Sequence, residues 1–320
     1  NHGAVVPVLI QARADITIVS GAGMTALQRA EKDDRRDIAD MLRAATMISV
    51  FDVACDGNTA KMQQILSQKA SLEWHTAAGH TPLMEAVLAD NASAAKVLID
   101  AKASVAARDS DNSTPLMCAL QRGHQPIIKV LINATAAEAV HETLLEISKR
   151  GDTAMLRHMV TANVSLDVRN SEKRTPLMRA AQGGHTDAVG VWVRAGAQLD
   201  LVDEDGDSAL MLAVANDHAD VVECLIDAKA SVSTCNNAGK TVLNMALTRN
   251  NSTIIDLIGH EMVYQAANML DVAAMKLVID AKAPVDARNK RGETPLIALA
   301  SQGRTDAVAV LMQVGAHHDL

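Results

Sequence analysis

A tripeptide that returns every 33 residues limits this 320-residue chain more than any other feature. Thr81-Pro82-Leu83 recurs as Thr114-Pro115-Leu116. Thr175-Pro176-Leu177, Ser208-Ala209-Leu210 and Thr241-Val242-Leu243 follow one another at the same spacing, and Thr25-Ala26-Leu27 and Thr294-Pro295-Leu296 complete seven copies. A second ladder runs beside the first: the stretch from Ile99 to Val105 reappears at 226–232 and, with Pro284 in place of Ser, at 279–285. A unit this short cannot bury an apolar face by itself. Each copy has to be covered by the next, which excludes a globule built around one shared centre.

Each register position has a physical reading. Five residues before the Thr stand Ser20, Thr76, Asp109, Asn170, Asp203, Asn236 and Asn289, all short polar side chains able to start a turn by bonding their own backbone. Two before it come Gly23, Gly79, Asn112, Lys173, Gly206, Gly239 and Gly292; all but Lys173 suit the positive φ of a tight hairpin tip. The Thr or Ser falls where an N-cap belongs, and Pro, where present, at the first helical position. Leu27, Leu83, Leu116, Leu177, Leu210, Leu243 and Leu296 form an apolar column two residues on. Five after the cap Ala stands in six copies and Leu299 in the last, small enough for neighbouring helices to approach closely. A second short helix follows, as in Val221-Val222 and Leu225-Ile226.

Hairpin, helix, turn, helix at 33 residues with a Thr-Pro-Leu motif resembles the ankyrin repeat, and the resemblance covers nearly the whole chain. The family's turn between helices appears as Gly123-His124 and Gly184-His185, with Asp217-His218 as a variant, and its Gly-Ala ending as Gly196-Ala197 and Gly315-Ala316. Arg13, Lys69, Lys102, Asn163, Lys229 and Lys282 replace that Gly elsewhere. Met84, Met117, Met178 and Met211 stand where the family carries a histidine. The resemblance implies an all-α solenoid of helix-turn-helix units with short β-hairpin fingers, binding proteins through its concave face and fingertips.

The period breaks three times. The intervals from Thr25 to Thr81, Thr114 to Thr175 and Thr241 to Thr294 are 56, 61 and 53 residues, leaving 23, 28 and 20 beyond one period. Residues 47–66, 140–160 and 261–279 read as helix, turn, helix without a finger, so three fingerless repeats are expected. They divide a single 1–320 array into blocks 1–45, 46–135, 136–259 and 260–320. A missing finger should alter curvature locally or open a slot. Residues 1–16 align on 217–232 and 304–320 on 185–201. The array is therefore expected to be open at both ends and to belong to a longer chain or a larger complex.

Composition narrows the function. A net charge of −8 and two Trp, one Tyr and one Phe in the whole chain oppose a nucleic-acid surface, which needs clustered cations and stacking rings. No apolar run is long enough for direct membrane insertion. Four cysteines without a paired spacing suggest reduced thiols and an intracellular, cytoplasmic setting. Gly239-Lys240-Thr241 has the tail of a phosphate loop but Thr234 where its first Gly belongs. Asp203-Glu204-Asp205-Gly206-Asp207 resembles a calcium loop, but Leu201 and Leu212 occupy its end positions, so it reads as an acidic, solvated fingertip. His124, His185 and His218 occupy one turn in different repeats and read as turn-stabilising. No activated nucleophile, metal site or cofactor site is expected, and no enzyme activity. Cys118, Cys224 and Trp192 read as core.

The candidate contact surface combines fingertips with the helix position four after each Thr: Arg29, Glu85, Cys118, Arg179, Leu212, Met245 and Ala298. Leu212, Met245 and Ala298, if exposed, would make an apolar patch bordered by Asp203, Glu204 and Asp205 and by Arg288, Lys290 and Arg291. Trp74, at a hairpin base where other copies carry small residues, is a candidate anchor. These residues suit a non-catalytic scaffold for protein partners. A regulatory or targeting segment of a larger enzyme or channel, or a structural subunit of a large assembly, are the alternatives.

Overall fold

The computed structural model describes residues 5–12, 14, 16, 18, 20–21, 23–67, 70–269, 278, 283–289 and 291–313. The regular elements are helices: α1 (Val5–Gln11), α2 (Ala26–Lys32), α3 (Arg36–Asp56), α4 (Thr59–Ser67), α5 (Pro82–Leu88), α6 (Ala92–Asp100), α7 (Pro115–Arg122), α8 (Gln125–Ala134), α9 (Ala137–Arg150), α10 (Thr153–Thr161), α11 (Pro176–Gln182), α12 (Thr186–Ala195), α13 (Ala209–Ala215), α14 (Ala219–Asp227), α15 (Val242–Arg249), α16 (Ser252–Asn268), α17 (Pro295–Ser301) and α18 (Thr305–Gln313). They fall into two compact units, Asn1–Val140 and His141–Leu320, with the boundary inside α9.

All seven register hydroxyls cap a helix. Thr25, Thr81, Thr114, Thr175, Ser208, Thr241 and Thr294 have extended backbones and accept the N–H three residues on. Pro82, Pro115, Pro176 and Pro295 sit in the first turn, where no amide donor is needed. Within each unit the short first helices pack in file: α5 on α7 in the first, α11 on α13 and α13 on α15 in the second. The second helices do the same, α4 on α6 and α6 on α8, then α10 on α12, α14 and α16 in turn. The leucine column is buried between them from Leu83 to Leu296, and the alanines from Ala30 to Ala246 are buried in all six copies. Met84, Met178, Met211 and Trp192 are buried as well.

The fingers are tight turns closed by side chains. Asp109 Oδ1 accepts from the N–H groups of Asp111 (3.0 Å) and Ser113 (2.8 Å); Asn170, Asp203, Asn236 and Asn289 repeat this pattern. Among the described residues β-pairing is confined to single bridges, Val202 with Ser208 and Cys235 with Thr241, because each arm is too short for a ladder. Lys173 takes φ +57° although no glycine stands there, and Lys102, Asn163 and Lys229 keep the left-handed helix ending with φ between +61° and +72°. Arg13, Lys69, Lys282 and the Gly315-Ala316 ending lie outside the described residues.

Two of the three period breaks are continuous helices. α3 runs through 45–46 and α16 through 259–260, each serving as the second helix of one repeat and the first of the next. No Gly-Ala ending or proline stops the helix at either place. At 135–136 the chain does break, with Thr135 extended between α8 and α9. The predicted turns at Gly57 and Gly151 are present with φ of +71° and +70°. Most of the second helix of the 261–279 unit lies outside the described residues.

The gap in the finger row is visible at the glycines. A Cβ on Gly206 would stand 2.7 Å from the Asn237 amide nitrogen of the next finger, whereas one on Gly239, followed by α16, would meet nothing within 4 Å. Both have positive φ, +80° and +70°. Gly239→Ala should therefore cost only the left-handed strain, about 1–2 kcal/mol. Gly206→Ala should cost that plus a further ~1–3 kcal/mol of overpacking against backbone that cannot yield. Urea unfolding of the two variants side by side measures the difference.

Candidate partner-binding surface

Three kinds of polar contact tie successive repeats together and decide which polar side chains are free to meet a partner. The first is backbone to backbone between fingers: Ser110 N–H donates to Ala78 O, Glu204 N–H to Glu172 O and Asn237 N–H to Asp205 O, at 3.0–3.1 Å. The second joins the inter-helix turns. His124 Nδ1 donates to Val87 O (2.9 Å), His185 Nε2 to Lys149 O (2.8 Å) and His218 Nε2 to Gln182 O (3.1 Å), each reaching back one repeat. Asn91 does the same to Cys55 O, and Arg304 to Asn268 O. The turn-stabilising reading of the histidines is thus given its mechanism.

The third kind was not foreseen. Where another finger follows directly, the residue just before the cap pairs with the turn-starting residue of that finger, 29 positions later. His80 Nε2 lies 3.9 Å from Asp109 Oδ2, Arg174 Nε 3.1 Å from Asp203 Oδ2, and Asn236 Nδ2 donates to Asp207 Oδ1 at 2.8 Å. The partners change chemistry from pair to pair, so no motif announces them. The register alone could have.

These bonds redistribute the expected contact residues. Asp203 is buried, not solvated. Its Oδ1 accepts two finger amides and its Oδ2 meets Arg174, so neither oxygen faces outward. Leu212 is also buried, at 5% exposure, as is Ala298, while Met245 is half-buried; the apolar row is therefore not an exposed patch. Helices α11, α14 and α15 pack around α13. Glu85 is half-buried, with Oε1 2.9 Å from His80 Nδ1. Arg179 is half-buried beside Glu172, 3.8 Å away, and Glu172 also meets Arg174 at 3.1 Å. Glu204 and Asp205 are exposed, and Trp74 is half-buried. Arg288 is exposed and donates to Gly292 O of its own finger; Arg291 is exposed, and Lys290 lies outside the described residues.

Cys118 is buried, and Cys224 only half-buried. Burial first, and then the Asp109 carboxylate 3.8 Å from Sγ, push the Cys118 thiol up to about 11. Native protein at neutral pH should accordingly react with a disulfide reagent at exposed Cys235 on the order of a hundredfold faster than at Cys118, as peptide mapping of the modified thiols would show.

Beside α16, where a finger is missing, the second unit holds a polar slot of about 340 Å³. His260 lines it, is itself only 7% exposed, and has its Nε2 buried without a hydrogen-bond partner. Burial holds this imidazole below its usual range. Lys229 adds to that effect, while Glu261 and Glu293 oppose it. Because the unfolded chain takes up this proton at higher pH than the folded one, the stability it contributes is complete above about pH 6.5 and is lost as pH falls toward the lowered folded value. Denaturant melts at pH 7.5 and 5.5 should show a smaller loss for His260→Gln than for the unaltered chain.

The family model described as Ankyrin repeats (3 copies) matches residues 50–143, 144–234 and 190–265, more than half of the sequence. The chain belongs to the ankyrin-repeat family. Among solved structures, the crystal structure of the human ASB11 ankyrin repeat domain is similar at 24% identity, over 62% of this chain and 90% of that one, with a TM-score of 0.42. No curated protein matches. Ankyrin repeats are in general protein–protein interaction modules and typically non-catalytic. Among the described residues no helix is long and apolar enough to cross a membrane.

Proposed function

We propose that this ankyrin-repeat chain is a non-catalytic scaffold that holds a partner protein through its fingertips and the adjoining side of its first helices. The observation that carries this reading is the division of labour within the fingers of the second unit. Their backbones and turn-starting side chains are committed to one another, from Glu172 to Glu204 and from Asp205 to Asn237. The side chains of Glu204, Asp205, Ala238 and Lys240 stay exposed on that rigid row. A rigid, exposed, charged row loses little entropy on binding, and electrostatic complementarity then selects the partner. Half-buried Arg179 and Met245 and exposed Arg288 and Arg291 extend the surface. In the first unit Trp74 and Glu85 are a separate contact point.

The test is charge reversal where the fold does not depend on the side chain. Glu204→Lys combined with Asp205→Lys should leave thermal unfolding unchanged, because both residues use only backbone atoms in the finger row. Bound proteins retained by the immobilised chain and quantified by mass spectrometry should fall at least tenfold for a defined set. An unchanged set in unchanged amounts would refute the fingertip surface.

A further inference from the structure

We propose that the trailing edge of the finger at 236–240 is a socket for a turn of a partner protein that opens with an aspartate. The filled fingers show what such an edge holds. A tip carbonyl accepts the second amide of the following turn, and the residue before the cap meets that turn's first side chain. Ala78 O and His80 hold Ser110 N–H and Asp109 in this way. Glu172 O and Arg174 hold Glu204 N–H and Asp203; Asp205 O and Asp207 hold Asn237 N–H and Asn236. The next set is Ala238 O and Lys240. At the register position 29 residues after Lys240 stands Met269, the C-cap of α16, and no turn begins there.

Both groups are open. Among the described residues no donor reaches Ala238 O and no carboxylate pairs with Lys240, whose side chain is exposed. The glycines at the tips agree. A Cβ on Gly79 would stand 2.9 Å from the Ser110 amide nitrogen and one on Gly206 2.7 Å from that of Asn237, whereas one on Gly239 would meet nothing within 4 Å. The residue before the cap then selects the side chain that opens the turn. His80 and Arg174, with nitrogen at the contact, face aspartates; Asp207, with oxygen there, faces an asparagine that donates to it. Lys240 is a cation, so aspartate is its complement. The carbonyl contributes main-chain pairing that any sequence can make, and the side-chain pair contributes the specificity. This inference rests on the protein-binding reading and names the partner's chemistry at one edge of the fingertip row.

The probe is a head-to-tail cyclised peptide presenting Asp-Ser-Ala-Gly as a tight turn. It would be titrated to millimolar concentration into the full chain while the amide resonances of Gly239 and Lys240 are followed. Both should shift saturably. In the filled fingers the second amide bonds only to the finger before it, as Ser110 does, so methylating the probe's serine nitrogen leaves the turn's own bonds in place. That change should weaken binding about tenfold. Asparagine in place of the probe's aspartate keeps the turn without the charge and should weaken binding about threefold, as should Lys240→Ala. Lys240→Asp should reverse the preference, so that the asparagine peptide binds better. Unmoved amides at Gly239 and Lys240, equal binding of the methylated peptide, or a preference that Lys240→Asp leaves in place would overturn the socket. Partner retention lost on reversing Glu204 and Asp205 would then still support the fingertip surface, so the two readings fail separately.

Discussion

Close approach of consecutive first helices is the condition on which everything else in these units depends. It is set by the alanine five residues after each cap. Ala180, Ala213 and Ala246 are wholly buried, as are Leu210 and Leu243 beside them. A larger side chain in that column would hold neighbouring helices apart, and helices packed across small residues lie near the short end of the usual 8–10 Å spacing. The cross-repeat hydrogen bonds follow from that distance. A finger amide reaches the previous finger's carbonyl at about 3 Å, and a turn histidine reaches the carbonyl one repeat back, only if the repeat translation is kept. Apolar burial sets the step and the polar bonds lock it.

Most of that framework was legible in the sequence because each position depends on one residue type. A cap needs a hydroxyl, a left-handed tip prefers glycine, and a column between helices needs a small or apolar side chain. The pairs spanning 29 residues were not legible, because His80 with Asp109, Arg174 with Asp203, and Asp207 with Asn236 share a geometry and no chemistry. Asp203 shows the consequence. In sequence it is one of three adjacent acids and indistinguishable from Glu204 and Asp205. In the fold the first position of the turn directs its carboxylate inward to cap amides, and the next two project outward. Leu212 failed differently: its register position carries a charged residue in other copies, and only contact with neighbouring helices shows that here it is covered.

The interruptions were legible as missing fingers but not as fused helices. A helix ends when something ends it, such as a left-handed glycine, a proline, or a side chain that competes for the backbone. Leu42-Arg43-Ala44-Ala45-Thr46 contains no such stop, and Thr46 donates its hydroxyl to Leu42 O within the helix. In α16 the glycine at 259 has the residue type of a stop. It is instead a contact point, since a Cβ there would stand 2.5 Å from Pro284, the one residue that departs from the ladder shared with 99–105 and 226–232. Helix glycine and loop proline are a matched pair, each explaining the other's departure from the repeat.

Regularity also determines where unsatisfied chemistry can persist. Inside a run of identical repeats every polar group has a counterpart one translation away, and an unpaired buried atom would be repeated at cost in every copy. Where the translation is interrupted, that counterpart is missing. Among the described residues Trp192 and Thr234 also hold an unpaired buried atom, but Thr135 Oγ1 and His260 Nε2 lie at joints between blocks, and Asn268 Oδ1 at the end of the fused helix α16. Asn170 and Asn289, the first turn-starters after two such joints, turn to glutamates of their own fingers for want of a neighbour. The polar slot beside α16 lies at one such joint.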